Sequence, residues 1–583
     1  MKPWSISTTV RNPSRLQNIL GVLAILEGRP FNEENQVKFQ ILLIQHRLYR
    51  PINMTEAEKE IFENPEREFT FEMASEIFHR QEYREPAMRG RQSANPLNKL
   101  GLSSARATGG PVRITRLGRA LLEGTQSIES IFLVALTRLQ FPSPGVRTFT
   151  EANGFNIRPL IATLQFLERM HVIYGQDGLT ATEFSLFIPT LINHEMIDEW
   201  LGKLGEYRAS NDKTAFIRHF AAEFYGHEPS EEEISNFHEY GDNIMRYFRM
   251  TRLFRVTRSG FGAEWRIDTE TLRTAEIANI LATQTPEARD FETTEEYVEY
   301  LNAADDVGVD HSVALEVRNH IEMRRVNASP EHKHAITEYL AIPVDGILDI
   351  AAYIERGREL LRVLLLKEQQ QTLRYDTTRL QEIIDQLSDT RQFRELDPEE
   401  LEYLVTQALQ IIDDEEKIVP HYLTDDRGMP IGHAPGNNPD IEAFYNSFNT
   451  IIEVTKSNSS HQWIMETAPV MRHLQEFEGR NAQKPAYCLF LAPGIHTDTG
   501  HHFFFANMQG FNGNRQRIAP LTIGQFVHVL RAYHALLVNH THPTHAVFKS
   551  LLDAIVTSPA RGHNEWLQTI ETIVAGWSPT LTV

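Results

Sequence analysis

A chain of 583 residues with a net charge of −21 and a single cysteine has material for three or four separate cores and excludes an internal disulfide framework. It begins on polar sequence without a signal-type apolar run, and no later stretch is long enough to span a bilayer, so a soluble, cytoplasmic protein with no membrane partner is expected. Such acidity speaks against a uniformly polyphosphate-binding surface.

The distribution of charge changes that reading. Between Arg84 and Thr150 stand ten Lys/Arg, among them Arg84, Arg89, Arg91, Arg106, Arg113, Arg116 and Arg119, against Glu85, Glu123 and Glu129. These seven arginines are the candidate contacts to double-stranded DNA. Within this stretch, Gly109-Gly110 reads as a turn and Val112-Arg113-Ile114 as a short strand. Thr115 is placed to cap a helix bearing Leu117, Leu121 and Leu122. Winged-helix modules are built this way. Two more candidates follow: Ile157-Arg158-Pro159-Leu160 into a helix through Leu167 that ends near Gly178-Leu179-Thr180, and Met245 to Phe254 with a hairpin around Ser259-Gly260. Each alone reads as an ordinary small helical core; three beside a basic excess bring DNA binding level with that reading.

Residues 286–395 look almost wholly helical, with Leu360, Leu361, Leu364, Leu365 and Leu366 set amid charge. From Leu281 to Pro420, 31 Asp/Glu face 14 Lys/Arg, a balance that repels a phosphate backbone. This stretch reads as a helical linker with a solvated acidic face. Asp397-Pro398-Glu399-Glu400 then starts a new helix, with proline at its first position. Strands are expected near 440–445, 450–455, 486–492 and 516–520, and helices near 398–412, 462–478, 523–538 and 546–556. Cys488, in the apolar run Ala486-Tyr487-Cys488-Leu489-Phe490-Leu491, is core packing.

The chemistry lies in this last part. Ile451-Ile452-Glu453-Val454-Thr455 is a strand with a carboxylate inside its apolar run, and alternation puts Glu453 on the face opposite Ile452 and Val454. A buried charge is costly unless it is paired or ligates a metal. Gly432-His433-Ala434-Pro435-Gly436-Asn437-Asn438-Pro439-Asp440 delivers a second carboxylate; two such groups about 4 Å apart repel by roughly 4 kcal/mol at an effective dielectric of 20, which a hard cation reverses. The cation expected is Mg2+, held by Asp440, Glu453, the backbone carbonyl of Val454 and Glu466, for phosphodiester hydrolysis. The spacing matches a PD-(D/E)xK pattern except in its last letter, where Thr455 replaces lysine; Lys456 follows, and alternation points it to the other face. On the next helix Glu466 and His473 are seven residues apart, on one side two turns apart, although Pro469 could kink or restart it. Glu466 would orient water or bind metal, and His473 would move protons. Glu402, on the helix before Asp440, is a further candidate, set against the bland reading of Glu399, Glu400 and Glu402 as a charged helix face.

The segment Gly432 to Asp440, with Glu453-Val454-Thr455, Met465-Glu466-Thr467-Ala468-Pro469-Val470-Met471-Arg472-His473, Tyr487-Cys488-Leu489-Phe490-Leu491-Ala492-Pro493 and Pro520-Leu521-Thr522-Ile523-Gly524-Gln525-Phe526, resembles the cleavage domain of the AlwI-type family of type IIS restriction endonucleases and related site-specific nicking enzymes. Upstream, Val112-Arg113-Ile114-Thr115 through Gly118, Phe141-Pro142-Ser143, and Arg246-Tyr247-Phe248-Arg249 with Leu253-Phe254 resemble its recognition part. The resemblance implies a multidomain α+β protein. Residues 1–285 would form a helical, winged-helix-like recognition half, 286–395 a helical linker, and 396–583 an α/β PD-(D/E)xK-like nuclease domain. It carries the family's catalytic residues onto Glu402, Asp440, Glu453, Glu466 and His473. It implies an enzyme that binds a short asymmetric site and cuts at a fixed distance outside it with Mg2+, or the large, nicking-competent subunit of one. For double-strand cleavage a second nuclease subunit or transient dimerisation is the expected partner. The alternative is a non-catalytic winged-helix DNA-binding regulator.

Overall fold

Leu179–Thr180 is a strand of two residues, too short to stand without partners from elsewhere in the chain. Its partners lie far downstream: Trp265–Thr269 pairs antiparallel with it on one side and with Phe254–Arg258 on the other, giving a three-stranded sheet with Trp265–Thr269 in the middle. The helices Pro159–Tyr174, Ala181–Phe187 and Glu231–Arg249 accompany this sheet in the chain. The second and third modules expected from sequence are therefore parts of one sheet-and-helix module. Periodicity shows each strand but not which strand it pairs with.

The computed structural model describes the chain except residues 64–66, 107–109, 145, 147, 176–177, 259–263, 304–306, 413–415, 433–437, 459 and 578–583. Gly109, the hairpin tip at Ser259-Gly260 and the loop His433-Ala434-Pro435-Gly436-Asn437 thus lie outside the described residues. The protein is mixed α+β. Its contacts form two units, Met1–Asn53 with Phe69–Leu364, and Met54–Glu68 with Leu365–Val583. This partition differs from the three segments expected, because 286–364 belongs to the first unit and 365–395 to the second.

In the first unit the expected strand Arg113–Ile114 pairs with Ser103–Ser104, and the Thr115 hydroxyl accepts from the Gly118 N–H at 3.0 Å to start the helix Arg116–Glu123. A Cβ on Gly118 would sit 2.0 Å from the Leu102 carbonyl oxygen. Only glycine lets the helix lie that close. This part of the unit also grips the backbone beyond residue 285: the Arg116 side chain donates to the carbonyls of Asn302 and Ala303, and the Arg158 N–H to that of Pro286. The start of the expected linker is packed, not a free spacer. Deeper in, Glu129 meets Arg252 at 3.1 Å and Arg273 at 2.5 Å, while Glu276 meets Arg273 at 3.1 Å and Arg358 at 2.6 Å.

The second unit is built on a five-stranded mixed sheet in the order Ile518–Thr522, Ala486–Ala492, Asn449–Val454, Ile441–Phe444, Lys417–Pro420. The first three run parallel and the last two antiparallel to their neighbours. Parallel strands covered on both faces read as unbroken apolar runs. Ala486–Ala492 is buried at every position, with Cys488 a free thiol inside it. Helices Pro398–Ile412, Ser460–Arg480 and Ile523–Val538 occur close to where the sequence puts them. One element was not expected here: the helix Glu56–Glu63, from early in the chain, packs on Ser460–Arg480.

Candidate active site

The strand register brings two carboxylates face to face. The antiparallel pairing runs from Asn449 opposite Phe444 to Ile452 opposite Ile441, so one further step along both strands sets Glu453 across from Asp440. Asp440 lies half-buried just before its strand, and its Oδ2 accepts the Val454 N–H at 2.7 Å. The Asp440 N–H faces the Glu453 carboxylate and favours its charged form.

Glu453 is 5% exposed, and its Oε1 lies 2.8 Å from His473 Nδ1. His473 sits on Ser460–Arg480, which continues as one helix through Pro469. The expected kink does not divide it. Glu466, two turns earlier on that helix, faces the Thr455 hydroxyl, which favours its charged form. From another side the helix Pro398–Ile412 brings in Glu402, also 5% exposed, whose Oε2 is buried without a hydrogen-bond partner among the described residues. The structure therefore gathers all five residues expected at the site, on two helices and two adjacent strands of one unit.

Electrostatics follow from that convergence. Burial pushes the Glu402 carboxyl up to about 10, and Asp440, Glu399, Glu453 and Glu466 add to the rise. Burial and then Glu453 raise Asp440 well above the usual range, Val454 opposing; burial and then Glu466 do the same to Glu453. Glu466 is raised by burial, against the Thr455 hydroxyl and His473. His473 is held below its ordinary value by burial and then by Arg472. Four acids kept from ionising by burial, three of them also by neighbouring acids, form a site that gains by admitting a cation. Among the described residues no three His, Cys, Asp or Glu side chains already close into a metal cage. The donor set nevertheless fits a hard divalent ion: carboxylate oxygens, one of them orphaned. Glu442, two residues beyond Asp440, is just as buried but is answered by Arg480 at 2.9 Å and His421 at 3.6 Å.

The seven arginines expected at DNA all lie in the other unit. Arg84 and Arg113 are exposed, Arg89 covers the Tyr83 ring at 4.7 Å, and Arg91 reaches Gln36 at 3.2 Å. Three others have protein acceptors: Arg106 the Pro144 carbonyl at 2.6 Å, Arg116 the carbonyls of Asn302 and Ala303, and Arg119 both oxygens of Glu27. Sequence reasoning saw Thr455 only as a missing lysine and missed its hold on Glu466. The signal was its place two residues after Glu453, on the same strand face.

A family model described as AlwI restriction endonuclease matches residues 98–529. No curated protein matches. Among solved structures, the small subunit of the heterodimeric restriction endonuclease R.BspD6I is 27% identical, with 33% of this chain and 98% of that one covered at a TM-score of 0.29. Restriction endonuclease FokI is 13% identical over 95% of this chain and 99% of that one, at a TM-score of 0.24. Among the described residues no helix is long and apolar enough to cross a membrane.

Proposed function

The chain belongs to the AlwI restriction endonuclease family and is a site-specific DNA endonuclease, and from that premise we propose that it is a type IIS enzyme, or the large, nicking-competent subunit of one. It binds a short asymmetric site in duplex DNA and hydrolyses phosphodiester bonds at a fixed distance outside it with Mg2+. The observation that carries this reading is the convergence of Glu402, Asp440, Glu453 and Glu466 with no arginine or lysine ion pair to them among the described residues. The cation would be held by Asp440, Glu453, Glu466 and the Val454 carbonyl. Bound there, Mg2+ supplies charge neutralisation at the phosphate and an acidified water.

The rest is the chain's own work. The Val454 N–H on Asp440 Oδ2 and His473 Nδ1 on Glu453 Oε1 keep two oxygens in place without rearrangement. His473 is neutral near pH 7; when Glu453 is ionised, Nδ1–H donates to it, which leaves the buried Nε2, otherwise without a partner, as the atom that takes or returns a proton. The strand topology of the first unit, with its middle strand supplied from far downstream, supports winged-helix-like recognition, with exposed Arg84 and Arg113 as its first candidate DNA contacts. The second unit's mixed sheet supports a PD-(D/E)xK-like core in which Thr455 stands at the lysine position. A second nuclease subunit or a transient dimer completes double-strand cleavage. Plasmid digestion with and without Mg2+, followed by sequencing of the ends, tests the reading. A single offset from one asymmetric sequence supports it; cleavage in EDTA, or ends scattered at random, overturns it.

A further inference from the structure

Lys456 is one residue out of step with the position where the pattern places a lysine, and it is turned away from the carboxylates. Its ammonium donates to the carbonyl of Arg394 at 3.1 Å and to that of Leu396, and lies 5.7 Å from the Phe393 ring. These groups end the short helix Thr390–Glu395. A cation there meets the negative end of the helix and satisfies carbonyls that have no intrahelical partner. Two residues after Leu396 the helix Pro398–Ile412 begins, and Glu402 is its fifth residue.

Glu402 needs such support from its backbone. The charged neighbours that raise its carboxyl, Asp440, Glu399, Glu453 and Glu466, are all acids, and among the described residues its Oε2 has no hydrogen bond to hold it. Burying a carboxyl oxygen without a hydrogen bond is costly, and that cost favours backing the helix away from the site. Lys456 opposes this from the strand that carries Glu453, three residues further along, so one strand end fixes both acids. We propose that Lys456 is a positioning residue that sets the start of the Glu402 helix, and through it the distance of Glu402 from Asp440 and Glu453. The inference rests on the catalytic reading above for its effect on rate, but not for the contact itself.

A double-mutant cycle with hydrogen exchange tests it in the full-length protein. Lys456→Met is expected to lower the single-turnover cleavage rate about 10-fold with DNA affinity unchanged, Lys456→Arg to recover most of it, and Lys456→Met to add less than about twofold to Glu402→Ala. In the metal-free protein, Lys456→Met should also lose amide protection across 396–404 while the strand Asn449–Val454 keeps its own. An equal loss of rate in both backgrounds would show Lys456 acting independently of Glu402 and overturn the inference. So would unchanged exchange. If the wild-type chain failed to cut DNA, the proposed function would fall while the exchange measurement still decided the contact. Should Lys456→Met not fold, Lys456→Gln takes its place in the same comparison.

Discussion

Among the described residues, a buried pair of acids in the first unit and a buried group of acids in the second are treated in opposite ways. In the first unit Glu129 and Glu276 are surrounded by Arg252, Arg273 and Arg358. In the second, Glu402, Asp440, Glu453 and Glu466 are met by main-chain N–H groups, the Thr455 hydroxyl and a neutral His473. In the first arrangement both acids are met at close range by cations that the protein itself supplies. The second is left in deficit, and that deficit is where catalysis can reside. Burial alone does not mark a functional acid; burial without a cation does.

The comparison breaks first at the site. Asp440→Ala and Glu453→Ala should each lower cleavage by roughly 10³-fold or more, about 4 kcal/mol of transition-state stabilisation, with specific binding kept in a mobility-shift assay. Wild-type cutting by either variant would remove it from the site. On the other side, Glu129→Gln should destabilise the protein by about 3–5 kcal/mol, because it strands buried arginines. Urea unfolding followed by circular dichroism measures this, and a loss under 1 kcal/mol would mean the cluster is not what balances those charges. Third, Glu466→Ala should slow single-turnover cleavage about 100-fold, well beyond the effect of Lys456→Met. The reverse ranking would mean that the lysine, not the acid, serves the reaction.

The pH response sharpens the contrast. Acids raised in the folded state keep protons that the unfolded chain has released, so the metal-free protein loses stability as pH rises from the ordinary carboxylate range near 4.5 toward the value of about 10 held by Glu402. Melting in EDTA should therefore fall from pH 6 to pH 9, and Mg2+ should raise the midpoint more at the upper end. A midpoint indifferent to Mg2+ across that range would show that the acids do not hold the ion. The smallest effect is opposite in sign to that of Glu129→Gln: Asp440→Asn should stabilise the metal-free protein, by about 1 kcal/mol, by relieving like-charge repulsion. A decrease in its melting midpoint would contradict the uncompensated reading.

Much of the site is legible in sequence because its logic is local. A glutamate inside an apolar strand, an aspartate at the head of a neighbouring strand and two residues seven apart on one helix are patterns of period two and 3.6, and the structure gathers all of them. Glu402 is the weaker reading, a further candidate set against a charged helix face, since nothing around it distinguishes a buried acid from a solvated one until the helix is packed. Partners chosen across long separations are not legible at all. Leu179–Thr180 finds Trp265–Thr269, Arg116 finds the carbonyls of Asn302 and Ala303, and Arg119 finds Glu27, by geometry that no local window contains. A count of arginines from 84 to 147 cannot tell those facing solvent from those closing the fold; Arg147 itself lies outside the described residues.

The helix Glu56–Glu63 carries a consequence for how the chain is made. It leaves the ribosome about 400 residues before Ser460–Arg480, the helix it packs on, so the second unit cannot be completed until synthesis is nearly over. Met54 and Phe62, 8% and 6% exposed in the finished protein, must wait that long with their apolar surface unclaimed. A nascent chain therefore passes through a long interval in which the nuclease unit lacks a piece already made. A transplant of residues 396–583 onto another protein would never receive it.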